Sequence, residues 1–419
     1  MTVASAALSL AKAPLRGLRS VVTGRPAELP AIASLTLDAD DARVAMAGLM
    51  GRRGWQDAEL TEVYQKAFAR QNGSAHAFAY MAGRVALSAA LEALDLAPGD
   101  EVVIPGYTCV VVPNAARYLG LKVVFADIET DTYGPDLSSV RACITPRTRA
   151  LVIHHLYGLV CRDLEALVDL ARSRGIYLIE DCAHAMGARY QGKRVGNFGD
   201  LGFYSTERSK CLSTIQGGMV VTSDDRLAQR LATNWRRASL PQADLVARQL
   251  QNVLLDYYQW KHPGRWLLGP AMEHAWGAKR LVTTTQGELA GQRPPGYGAR
   301  MPSAIAAVGL TQLRKLEHYN ECRRRRASRW AGWCASKGYP APLEVAESTP
   351  VYLRYPIMVE PELKRDVSWA ARELQVRAGV WFATNLHPSP ERVAGCPNAD
   401  RAVSRCVNFY CLGSPGRGT

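Results

Sequence analysis

Short apolar runs alternate with longer amphipathic ones through the middle of this 419-residue chain. Residues 86–96 repeat apolar positions at helical spacing and end at the breaker Pro98-Gly99-Asp100. The run 101–104, stopped by Pro105 and Gly106, predicts a short strand. A helix over about 111–119 follows, then strands over 122–128 and 150–155, a helix over 163–174, and a buried strand over 176–179 closing on Glu180 and Asp181. Residues 201–204 and 219–222 read as two more strands, with a helix from about Asp225. Strands this short and apolar, separated by helices of ~10–15 residues, predict an α/β layer architecture with a largely parallel sheet. Ligands bind such sheets beyond the carboxyl ends of the strands. Asp181, Tyr107 and the loop near His155 each follow a predicted strand, so they are expected to share one crevice.

The pattern changes between Trp235 and Gly298, where DYYQWKHPGRWLLG precedes the proline-bearing GELAGQRPPGYG. Its aromatics are read as ordinary packing ahead of a substrate lid, an interface or a lipid-facing patch. From Met301 the apolar spacing predicts one long helix through PSAIAAVGLTQLRKLEHYNECRRRRASRWAGWCA. Beyond Pro340, a strand in VYLRYPIMV, a helix in VSWAARELQVRAG and a strand in WFATN predict a smaller α+β domain. The expected division is an N-terminal segment 1–60 packing with the small domain, a large domain 61–300 and a small domain 301–419.

The formal net charge of +13 permits contact with nucleic acid or anionic lipid. The arginines are scattered through predicted helices, however, and the one dense run, Arg323–Arg326, reads as a solvated helix face. Small anionic metabolites are therefore expected as partners, not nucleic acid. Ten cysteines occur without a CxxC pair or a Cys/His cluster, which predicts reduced cytoplasmic thiols and no metal site. No run of ~20 apolar residues suggests a transmembrane span. The first twenty residues read poorly as a secretory signal; a weak amphipathic helix resting on the body is expected there, with peripheral membrane contact as the alternative.

Two settings carry candidate chemistry. In YLIEDCAHAMG, Asp181 ends an apolar strand; in GFYSTERSKCLSTIQGG, Lys210 lies among hydroxyls before the pair Gly217-Gly218. An acid that keeps a ring nitrogen protonated and an amine that forms an imine are the side chains that pyridoxal phosphate chemistry needs. Asp181 is also open to reading as a buried ion-pairing acid or a metal ligand. His184 is suited to lining a cofactor ring, orienting Asp181 or a structural role. Gly83 and Arg84 stand just before a predicted helix, whose first N–H groups favour a phosphate, and Ser205 adds a hydroxyl.

Taken together, PGDEVVIPGYTCV, VVFADIETDTYGPDL, HLYGLVCRDLEAL, LIEDCAHAMGARYQGKRVGNFGDLGFYS and SKCLSTIQGGMVVTSD resemble the DegT/DnrJ/EryC1/StrS family of pyridoxal phosphate-dependent sugar aminotransferases. The resemblance spans about residues 80–316, with a weaker tail to about 388. It implies the aspartate aminotransferase-like type I fold, a three-layer α/β/α large domain with a smaller C-terminal α+β domain. It also implies a homodimer with shared active sites. By matching position, Lys210 corresponds to the imine-forming lysine and Asp181 to the partner of the pyridine nitrogen. His184 takes the place of a Gln or His near the ring oxygen. Gly83, Arg84 and Ser205 match the phosphate contacts, and Cys109 stands where the family has an aromatic against the ring. The family's Ser-Gly-Thr turn is Ala82-Gly83-Arg84 here, and its Asn in a GYNYR-like stretch is Gly298, with Arg300 kept. The implied reaction moves an amino group from glutamate or glutamine to a keto sugar, often nucleotide-linked, in antibiotic or surface-polysaccharide synthesis. Elimination, decarboxylation or carbon–carbon bond formation on the same scaffold is the alternative, and a non-catalytic regulator the third reading.

Overall fold

The computed structural model describes residues 35–51, 55, 58–277, 280–281 and 284–412. The expected N-terminal amphipathic helix lies outside these residues. A seven-stranded sheet organises the larger part: β1 (His76–Tyr80), β2 (Glu101–Pro105), β3 (Lys122–Ala126), β4 (Thr148–His154), β5 (Tyr177–Asp181), β6 (Leu201–Ser205) and β7 (Gly218–Thr222). Their order across the sheet is β1-β7-β6-β5-β4-β2-β3. Neighbours from β6 through β3 are parallel, while β7 runs antiparallel to both β6 and β1.

Two-residue alternation divides each strand between two cores. Val102, Ile104, Val152, Ile179, Phe203 and Val220 face one side with Leu87 and Leu91 of helix Gly83–Ala93 and Leu231 of helix Asp225–Arg237. Val103, Leu151, Ile153, Leu178, Tyr204 and Met219 face the other, with Leu167 of helix Leu164–Arg174 and Ile305 of helix Ser303–Arg314. Both faces are covered, which is why these strands read as continuous apolar runs. This is the expected three-layer α/β/α arrangement.

Several elements differ from the sequence reading. Helix Gly83–Ala93 starts three residues early, so Gly83 is its first residue instead of part of a preceding turn. The single helix expected from Met301 is two, Ser303–Arg314 and Leu316–Lys337. At the join the Lys315 N–H reaches back only three residues, to the Gln312 carbonyl at 3.0 Å, while its ammonium binds Asp40 at 2.8 Å and also Asp41. A tertiary ion pair breaks the ladder there, with no glycine or proline to announce it. The 235–298 stretch is largely helical, with Ala243–Trp260, Arg265–Trp276 and Gln286–Leu289.

Helix Ala39–Met50 lies on Ala243–Trp260 and Ser303–Arg314. Gln312 fixes it there by donating to Asp41 at 2.8 Å and to the Thr36 carbonyl at 2.8 Å.

The C-terminal unit pairs Arg354–Met358 with Cys406–Tyr410 in antiparallel fashion. Trp330, Trp369, Tyr355 and Phe409 fill its core, and Trp330 stacks on Phe409 at 4.4 Å. That core continues into Tyr107, Tyr133 and Tyr157 of the larger part. The strand expected at WFATN does not form. Instead Leu386–His387 pairs in parallel with Thr108–Cys109, drawing residues 381–388 toward the carboxyl ends of the central strands. No helix among the described residues is long and apolar enough to cross a membrane. Arg323, the first residue of the basic run, is not solvated but 1% exposed.

Candidate active site

A cavity of about 1120 Å³ opens beyond the carboxyl ends of β4, β5 and β6. All seven residues singled out from the sequence line it: Gly83, Arg84, Cys109, Asp181, His184, Ser205 and Lys210. His155 lines it too, but Tyr107 does not. Tyr107 is fully buried behind it, bonded to the Tyr157 hydroxyl at 3.1 Å and packed edge-on against Phe382 at 5.2 Å.

Asp181 is the last residue of β5, so its carboxylate stands at the sheet rim. One oxygen accepts the Ala183 N–H at 2.9 Å. Burial pushes the carboxyl up to about 6, against the opposing pull of that N–H, Lys210 and His155. The preceding Glu180 is wholly structural. Its oxygens accept N–H groups from Gly196 at 2.7 Å, Phe198 at 2.6 Å and Gly199 at 2.8 Å. His155 joins them at 3.0 Å through Nε2, because its Nδ1 accepts the Cys161 N–H at 3.1 Å and must be unprotonated. His155, Glu180 and Cys182 stand close enough to hold a metal, but these amides already occupy the Glu180 oxygens.

His184 follows Asp181 by one turn. Its Nδ1 accepts the Tyr157 N–H at 3.3 Å, which leaves the proton on Nε2. Burial and the nearby Lys210 charge hold this ring neutral, well below the usual histidine range. It stacks on the Trp381 indole at 5.1 Å with planes 13° apart. The Lys210 ammonium lies 5.2 Å from the same indole. Trp381 was invisible to the site reading: it comes from the far end of the chain, carried in by the Leu386–His387 pairing. Cys109 lines the cavity as expected, and burial raises its thiol above the usual range, so it stays uncharged.

Lys210 rides on the connection between β6 and β7. The connection is braced throughout: Thr206 N–H bonds the Gly217 carbonyl at 2.9 Å, Thr214 N–H the Thr206 carbonyl at 2.9 Å, and Lys210 N–H the Glu207 carbonyl at 2.9 Å. Gly217 is required there, since a Cβ would lie 2.3 Å from the Thr206 hydroxyl. Arg323 clamps the same loop. Its guanidinium donates to the Cys211 carbonyl at 2.6 Å and to Asn320 at 2.8 Å, and Asn320 holds the Met186 carbonyl at 3.0 Å. The segments bearing His184 and Lys210 are thus tied to one helix.

At the other end of the cavity, Ala82 is extended and caps helix Gly83–Ala93. The turn packs directly on β6: a Cβ on Gly83 would stand 2.8 Å from the Ser205 Cβ. The helix N-terminus and the Ser205 hydroxyl form a cradle for an anion. The Arg84 guanidinium pairs with Glu288 of helix Gln286–Leu289, which is 3% exposed. The Tyr297 hydroxyl donates to the Arg84 carbonyl at 3.0 Å, while Gly298 takes a φ of 103°, a backbone that favours glycine. Arg300 stacks over Trp235 at 4.9 Å.

These residues fit pyridoxal phosphate. The cradle at Gly83 and Ser205 accepts a phosphate, and Lys210 stands in the same cavity as Asp181. A carboxyl raised by burial regains its charge beside a protonated ring nitrogen.

The DegT/DnrJ/EryC1/StrS aminotransferase family model matches residues 39–413. A GDP-perosamine synthase of Escherichia coli O157:H7 is 42% identical over 167 residues, 40% of this chain and 46% of that protein. The chain therefore spans about half the length of that relative. The L-glutamine:2-deoxy-scyllo-inosose aminotransferase of Streptomyces lividus is 32% identical over 359 residues, 84% of this chain and 76% of that protein. Among solved structures, S. venezuelae DesV in complex with a ketimine intermediate superimposes with a TM-score of 0.68 at 26% identity, covering 90% of this chain and 91% of that one.

Proposed function

Because the chain belongs to the DegT/DnrJ/EryC1/StrS aminotransferase family, we propose that it is a pyridoxal phosphate-dependent aminotransferase that carries an amino group from glutamate or glutamine to a keto sugar. The observation that carries this reading is the meeting of Lys210, Asp181 and the Gly83–Ser205 cradle in one cavity. A GDP-perosamine synthase and an L-glutamine:2-deoxy-scyllo-inosose aminotransferase among the relatives support glutamine as donor and a polyhydroxylated ketone as acceptor. A nucleotide-linked acceptor in antibiotic or surface-polysaccharide synthesis is the form we favour.

The geometry supports the following roles. When bound, the cofactor supplies an aldehyde that captures amines and a ring that accepts the electrons of a broken bond. Lys210 would hold the cofactor covalently and give way to the donor amine. Its freed Nζ would serve as base for the donor's α-proton and then as the acid that returns it. Asp181 would keep the cofactor's ring nitrogen protonated. His184, neutral with its proton on Nε2, offers a hydrogen bond without adding charge beside Lys210. Trp381 and Phe382 wall the cavity against water. Gly83 and Ser205 would anchor the phosphate, with Arg84 contributing through its position at the helix start. We favour a cytoplasmic homodimer, in keeping with ten cysteines that form no CxxC pair in the sequence.

The direct test reconstitutes the protein with cofactor and adds glutamate or glutamine. Conversion of the cofactor to its amine form, with one oxo acid per site, is expected. Failure with every common donor overturns the reading.

A further inference from the structure

The wall residue Trp381 is held by a charge that has no counterion. Arg354 opens strand Arg354–Met358 and is 2% exposed. Among the described residues no carboxylate pairs with it, and its Nε–H and Nη2–H meet no protein acceptor. Its guanidinium lies instead against two rings. It stands 5.0 Å from the Trp381 indole and 4.7 Å from the ring of Tyr410, its neighbour across the strand pair. Burial pulls it down to about 10, so it stays charged at neutral pH.

The backbone of Trp381 is fixed to the same strand pair. Gly379 and Asn408 exchange N–H···O bonds at 2.7 and 2.9 Å, and the Asn408 amide donates to the Trp381 carbonyl at 3.0 Å. The Tyr157 hydroxyl donates to that carbonyl too. These bonds leave the indole free to turn about its own torsions, so contacts on the ring must set its plane. That plane matters to the site. The indole stacks on His184 at 5.1 Å and lies 5.2 Å from the Lys210 ammonium.

Burying a guanidinium without a counterion is costly, and an apolar side chain of similar volume would fill the space without that cost. The charge is drawn to an aromatic face, most strongly where both are shielded from water. Beyond burial, Lys210, His154 and Arg354 keep the His184 ring neutral. Arg354 does not itself line the cavity, so its reach into the site is through Trp381. We propose that Arg354 is a positioning residue for amino-group transfer: it grips the Trp381 indole and so sets the ring on which His184 stacks and beside which Lys210 works. The inference rests on the aminotransferase reading above.

Circular dichroism of the bound cofactor's visible band tests this, because the band reports how the site orients the cofactor and needs no turnover. Arg354→Met keeps the bulk and removes the charge. At equal cofactor occupancy it should reduce the band by about twofold or more and slow the donor half-reaction at saturating donor by about tenfold, with the half-saturating concentration changed by less than about threefold. Arg354→Lys should restore part of both. Trp381→Leu should reproduce the loss of the band, and adding Arg354→Met to it should change little further. A folded Arg354→Met protein whose band and rate match the unaltered protein overturns the role, as do additive losses in the double variant. Should Arg354→Met fail to fold, an unchanged band in Trp381→Leu overturns it alone. Conversion of the cofactor by donors in the unaltered protein, measured separately, reports on the aminotransferase reading.

Discussion

Asp181 shows how one residue couples stability to function. Its folded value, about 6, lies above the ordinary 3.8, so the cofactor-free protein binds this proton more tightly than the unfolded chain does. Stability from this group is therefore greatest in acid, falls as pH rises between 3.8 and about 6, and carries its full cost above that. The cost is on the order of 1–3 kcal/mol. Asp181→Asn should make the cofactor-free protein more stable at pH 7 by that order and flatten its pH slope, while weakening cofactor binding. Urea unfolding from pH 4.5 to 8 measures it; an unchanged slope contradicts the assignment. Gly83→Ala tests the cradle, because the added methyl meets Ser205 at 2.8 Å. About 1–3 kcal/mol of destabilisation and weaker cofactor retention on dialysis are expected. Lys210, Asp181 and Gly83 were legible in the sequence because local motifs surround them. Trp381, Glu288 and Arg323 were not, since each reaches its place through contacts more than a hundred positions away in the chain.

At the scale of elements, the central strands and the layers were legible because β2, β6 and β7 are buried throughout and announce themselves as apolar runs. The split at Lys315 was not, because it is imposed by Asp40 and Asp41 from another helix. The connection bearing Lys210 is the element on which the proposed activity rests. Of the hydroxyls that surround Lys210 in the sequence, those of Thr206 and Thr214 bond one another at 2.7 Å and serve the turn. Arg323 holds that turn from outside. Arg323→Leu should destabilise the protein by about 2–4 kcal/mol, because the Cys211 carbonyl and Asn320 lose a charged donor. The fraction of Lys210 trapped by borohydride in the cofactor-loaded protein should fall with it. Arg323→Lys, which keeps the charge, should restore part of both.

Across the whole molecule, the cavity is completed where two cores meet. The C-terminal unit delivers Trp381 and Phe382 against His184 and Tyr107, so one wall of the cavity depends on how the two parts pack. Phe382 is 5% exposed at this junction, and Phe382→Ala should cost about 3–5 kcal/mol, read as a lower unfolding midpoint. The central claim is that Lys210 and Asp181 serve amino-group transfer. The most direct measurement is a single-turnover reaction of the cofactor-loaded protein with glutamate or glutamine, followed by absorbance and by oxo acid release. The account predicts complete conversion to the amine form with one oxo acid per site, and no conversion for Lys210→Ala. A bound cofactor that stays in its aldehyde form with every common amino donor would contradict it.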